Sequence, residues 1–200
     1  MKIGILIDSF RVPLREAMRK AAAMQVSGVQ CYANAEILNG DRAGLRRYAE
    51  ELGLEISALV AELGGYGFQD EKENPGKLER MKQVFDAAIE LGAKVVTGHI
   101  GVLPRDPTAP RYGVMLNALT ALGSAAKERG IVFGIETGPE DPEQLAEFLK
   151  KTDGGVGVNL DPANLVMVRN VSPVRAVEIL RPWIRIGIAE SRRIRRLSDH

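Results

Sequence analysis

Glu136 and Asp161 are the two residues of this chain best placed to do chemistry. Each ends a short apolar run, GIVFGIE (130–136) and GVGVNLD (155–161), at a point where the chain turns toward a helix. Carboxylates delivered from the C-terminal ends of neighbouring parallel strands can hold a hard metal ion or take a proton from a polar substrate. The same two residues could instead cap helices or pair with Arg, the first reading for any single strand-end carboxylate. Their meaning therefore depends on the elements that carry them.

Those elements alternate. KIGILID (2–8) reads as a buried strand, and the apolar spacing from Leu14 to Val26 as a helix. A second short run, VQCYA, follows Gly28 and completes a strand–helix–strand unit. Asp41 is placed to cap a helix through Leu52, which stops at Gly53 and feeds the strand LEISALVAE. Asn74 before Pro75 reads as a cap with a first-turn proline, opening a helix through Leu91 that feeds AKVVTGH. A helix from about Tyr112 to Arg129 leads into IVFGIE. Asp141-Pro142 and Ser172-Pro173 open two more, on either side of VGVNLD, and WIRIGIAE (183–190) reads as a seventh strand. Gly53, Gly92 and Gly130 recur at the helix-to-strand joints, supplying the left-handed residue that ends each helix.

Seven strands alternating with six helices through short connections demand a parallel sheet with helical crossovers. An open doubly wound sheet and a closed barrel both satisfy that pattern. The first strand runs into DSFRVP without a GxGxxG fingerprint, so the expected fold is an α/β TIM (β/α) barrel. It is expected to be incomplete, with about seven strands and no eighth βα unit. Gly64, Gly65 and Gly67 are read as a loop over the barrel mouth rather than as a phosphate cradle.

Composition narrows the setting. Two hundred residues with 27 Lys and Arg against 26 Asp and Glu call for neither nucleic acid nor a membrane surface. A lone Cys31 cannot form an internal disulfide, and no apolar run is long enough for a membrane span or a signal sequence, so the expected location is the cytoplasm. Residues 181–200 differ from the rest in holding six Arg against Glu190 and Asp199. The expected organisation is one barrel domain over 1–190 with an Arg-rich tail over 191–200.

The order of segments at the strand ends, ALVAELGGYGF, VVTGHIG, GIETGP and VGVNLDPANLVM, resembles the xylose-isomerase-like TIM barrels of the sugar phosphate isomerase/epimerase group. The similarity covers about residues 1–183. It implies a divalent metal at the barrel mouth, held by a Glu from strand five, an Asp from strand six, a His from strand seven and a Glu from strand eight. Glu136, as ligand and catalytic base together, and Asp161 match the first two. Asn164 stands where many members carry a substrate-touching His, while Glu62 and His99 occupy positions that often line the substrate pocket. The oxygen-rich set suits Mn²⁺, Mg²⁺ or Co²⁺, with Zn²⁺ an alternative.

The implied chemistry is abstraction of a proton next to a carbonyl, through an ene-diolate, on a small carbohydrate. A non-catalytic homologue that binds a sugar or a partner at the same mouth is the alternative. The DNA-repair relative endonuclease IV needs a His-rich three-zinc cluster, which a chain with two His does not offer. After Trp183 the His-containing seventh strand and the eighth strand's Glu have no match, which fits a natural short homologue, a truncated chain or a change of reading frame near residue 184, with the last or a related gene lesion the favoured reading. A barrel short of one strand leaves two open edges, so association between chains is expected.

Overall fold

The computed structural model describes residues 2–64, 67–169 and 171–187. The Arg-rich tail, Glu190 and Gly65 lie outside them. Seven parallel strands pair strictly in chain order, β1-β2-β3-β4-β5-β6-β7. They are β1 Gly4–Leu6, β2 Gly28–Tyr32, β3 Glu55–Val60, β4 Val95–Gly98, β5 Val132–Glu136, β6 Val156–Leu160 and β7 Ile184–Gly187. Parallel neighbours need a crossover, and here every one contains a helix. The helices are α1 Leu14–Ala23, α2 Ala35–Asn39, α3 Arg42–Glu51, α4 Asn74–Leu91, α5 Pro110–Glu128, α6 Pro142–Leu149, α7 Pro162–Arg169 and α8 Pro173–Leu180. The result is a curled sheet with helices around it, a TIM-like barrel of seven strands among the described residues.

Alternation along the strands sorts the side chains into two sets. Val96, Phe133, Ile135 and Val158 are fully buried in an apolar cluster with Met81, Phe85, Met115, Leu119 and Phe148 from the helices. Intervening residues such as Val60, Thr97 and Glu136 border the barrel interior. Helix-to-strand joints end as the glycine spacing requires, with φ of 72° at Gly53, 81° at Gly92 and 66° at Gly130. The approach of α5 to β6 depends on glycine too. A Cβ on Gly155, itself at φ 76°, would collide with the Gly123 carbonyl.

The helix-opening reading holds at Asp41, whose Oδ1 accepts from Gly44 N–H at 2.8 Å. It fails at Asn74. That residue is already the first of α4, and its Nδ2 donates to the Phe68 carbonyl at 3.1 Å instead of capping. The side chain is buried because the 67–70 segment folds back over it, a contact between residues six apart that helix-start rules do not see. Two short helices, α2 and α7, were not read from the sequence. Their amphipathic pattern is too brief to stand out, and both follow strand ends directly.

Candidate active site

Glu136 is the last residue of β5, with a side chain 16% exposed. Its strand places it by register. Val60 pairs with Thr97, Thr97 with Gly134, and Glu136 with Asn159. Glu62, His99 and Glu136 each lie two residues beyond the Val60, Thr97 and Gly134 row, so three neighbouring strands deliver them to one tier. All three border a single cavity of about 1020 Å³ at the C-terminal end of the strands. The gap between β1 and β7 belongs to it as well, because Gly4 and Gly187 are on its wall.

His99 is 70% exposed, and its Nε2 lies 3.8 Å from Glu136 Oε1. That spacing lets the imidazole approach a ligand bound against the carboxylate. Asn164, in the first turn of α7, donates its Nδ2 to Glu136 Oε1 at 3.3 Å and to the Thr137 carbonyl at 3.2 Å. The Asn therefore fixes the rotamer of the carboxylate.

Asp161 is 2% exposed. Its Oδ1 accepts the N–H groups of Ala163 at 2.8 Å and Asn164 at 3.1 Å, which caps α7. The helix-cap reading of this residue is thus realised, and it serves the site: the cap orients the turn that carries Asn164 to Glu136. Thr137 locks the two strand ends together. Its Oγ1 accepts the Asp161 N–H at 2.8 Å and donates to the Asp161 carbonyl at 3.2 Å.

The cavity wall also carries residues that sequence reasoning passed over, Gln30 and Tyr32 from β2 and Arg80 from α4. Arg80 brings a cation to a mouth that, among the described residues, also carries Glu62 and Glu136. Nothing in its local sequence, LERMKQ, marks it. Thr137 did have a signal, since it belongs to the GIETGP segment.

A divalent ion needs several converging donors. Among the described residues no group of three or more His, Cys, Asp or Glu could hold one. Asp161 commits Oδ1 to the helix, and Glu136 engages one oxygen with Asn164. Among the described residues, Glu136 and Asp161 are the part of the implied four-ligand set that the structure describes.

The model of a family described as xylose isomerase-like TIM barrel matches residues 18–194, past the break that the sequence suggested at about residue 183. Solved structures share the fold at low identity. A xylose isomerase domain protein from Planctomyces limnophilus has TM-score 0.80 and 22% identity, with 92% of this chain and 72% of that one covered. A D-psicose 3-epimerase solved with D-fructose has TM-score 0.79 and 16% identity, covering 94% and 72%. The probable 3-DHS dehydratase AsbF from Bacillus anthracis gives 0.79, 17%, 94% and 72%. Comparison with curated protein sequences gave no match. No helix among the described residues is long and apolar enough to cross a membrane.

Proposed function

Because the chain belongs to the xylose isomerase-like TIM-barrel family, we propose that it acts on a small carbohydrate, removing a proton from the carbon beside a carbonyl with Glu136 as the base. The observation that carries this reading is the setting of that carboxylate. It borders the cavity at the end of β5, its rotamer is held by Asn164, and His99 and Glu62 share its tier. An epimerase and a probable dehydratase with the same fold fit the reading, since both reaction types can begin with loss of a proton from carbon.

Glu136 accepts the proton, and the electron pair left on carbon moves to the carbonyl oxygen as the ene-diolate forms. His99 and Arg80, on the same wall, are the groups that stabilise that oxygen. A single carboxylate can return the proton to the adjacent carbon on the same face; once the proton of the neighbouring hydroxyl has also passed to the former carbonyl oxygen, the carbonyl has shifted along the sugar. Inversion needs a donor on the opposite face, and Glu62, just past the end of β3, is the second carboxylate among the described residues that line the cavity.

The experiment follows the carbon-bound proton. Incubation with a panel of ketoses and their phosphates in deuterated water, with and without Mn²⁺, is expected to place deuterium next to the carbonyl. Glu136→Gln is expected to slow exchange by about 10²–10⁴-fold. No deuterium from any substrate would remove the enzymatic reading. A second reading, a sugar-binding protein without turnover, draws on the short donor set around Glu136. It predicts sugar-dependent thermal stabilisation with no exchange.

A further inference from the structure

Arg80 belongs to two cavities at once. It stands on the wall of the active cavity, and it also lines a separate groove of about 570 Å³ between α2 and α4. Nothing in the proposed reaction uses that groove.

Arg80, Gln83 and Ala87 follow one another at i, i+3 and i+7 along α4, so a single face of that helix borders the groove. Asn39, the last residue of α2, lines it from the other helix. Ala87, buried, and Leu38, half-buried, add apolar surface.

The acids of the groove are already matched. Arg42 holds Glu90 in a fork, Nε to Oε2 at 2.7 Å and Nη2 to Oε1 at 3.0 Å, and Asp86 Oδ1 accepts from Arg129 Nε at 2.7 Å. Among the described residues the Arg80 side chain makes no ion pair or hydrogen bond, and neither do the side-chain amides of Gln83 and Asn39. One uncompensated cation and two uncommitted amides therefore share the groove.

A guanidinium gives two N–H groups in a fork and each amide adds donors, a set that suits a tetrahedral oxyanion. We propose that the groove between α2 and α4 is a second binding site, for a small phosphate-bearing molecule, and that Arg80 couples it to the active cavity. An anion in the groove holds the guanidinium on that side and takes from the mouth a cation that stabilises the ene-diolate oxygen. Occupancy slows proton exchange. The binding step stands on the groove alone, whereas the coupling rests on the reaction proposed for Glu136.

Binding is read by NMR on ¹⁵N-labelled protein titrated with inorganic phosphate, with chloride and acetate at matched ionic strength as controls. Phosphate should shift the side-chain amide signals of Gln83 and Asn39 and the backbone signal of Ala87 with one common dissociation constant. Arg80→Gln should weaken that binding roughly tenfold or more. Gln83→Glu, which sets a carboxylate one turn from Arg80, should weaken it as well while the melting temperature stays near wild type. No shifts in the groove, shifts confined to cavity residues such as Thr97, equal shifts from acetate or chloride, or unchanged affinity in either variant would overturn the site.

Coupling is read by deuterium exchange. Phosphate should lower kcat for the ketose with KM unchanged, and Gln83→Glu should abolish the response. A rise in KM alone would put phosphate in the active cavity and overturn the coupling. Absence of exchange from every ketose would remove the reaction and the coupling with it, while the phosphate shifts at Gln83 and Asn39 would still decide the binding site.

Discussion

Cys31 is a nucleophile by type and an inert core residue by position. It is 1% exposed on β2, and burial, assisted by the nearby Asp8 carboxylate, pushes its thiol up to about 12 from 9.0. At neutral pH the thiolate fraction is then about a thousandfold below that of an unperturbed thiol. A disulfide exchange reagent should therefore label the native protein only as fast as it opens, and urea should accelerate labelling in step with unfolding. The same shift carries a pH signature. A folded-state value above the unfolded one contributes stability that is complete below pH 9 and is lost as pH rises toward 12. Cys31→Ala should remove that part of the alkaline slope while other titrations leave the remainder, and an unchanged slope would reject the assignment. Chemistry at single residues was only partly legible in the sequence. Glu136 and Asp161 could be picked out because a carboxylate ending an apolar run is visible locally. Arg80, Tyr32 and Asn159 could not, because what makes them matter is a neighbour tens of residues away.

Among the elements, α7 shows how one carboxylate serves both fold and site. Asp161→Ala deprives two N–H groups in the first turn of their acceptor, which should cost about 1 kcal/mol. Asp161→Asn keeps an oxygen for the cap, so its melting temperature should stay near wild type. Deuterium exchange should still fall if the charge of Asp161 contributes at the mouth. Equal stability losses in the Ala and Asn variants would show that the cap is not what Asp161 supplies. Thr137→Val is expected to be costly as well, by about 1–3 kcal/mol, because it leaves the buried Asp161 N–H without an acceptor. The strand and helix order was readable here because glycine at Gly53, Gly92 and Gly130 punctuates the chain and short Ile- and Val-rich runs cannot be amphipathic helices. Asn74 misled for the opposite reason. Its side chain is claimed by the Phe68 carbonyl, a tertiary contact that overrides the local capping pattern.

At the scale of the whole molecule, the open sheet sets the expectation. Among the described residues β1 pairs only with β2 and β7 only with β6, so each presents an outer edge of unpaired backbone groups. Both edges flank the cavity, with Gly4 on one side and Gly187 on the other, and Ile3 beside β1 is 58% exposed. A parallel edge strand beside an exposed Ile is a template for pairing with another chain. Sedimentation velocity should therefore show an average mass that rises with protein concentration, and Ile3→Lys should weaken that rise without lowering the melting temperature. Placing a charge beside an edge strand disfavours a second strand there while leaving the β1–β2 ladder, which is made on the other side, in place. A single sharp monomer boundary at every concentration would mean that both edges are covered within one chain.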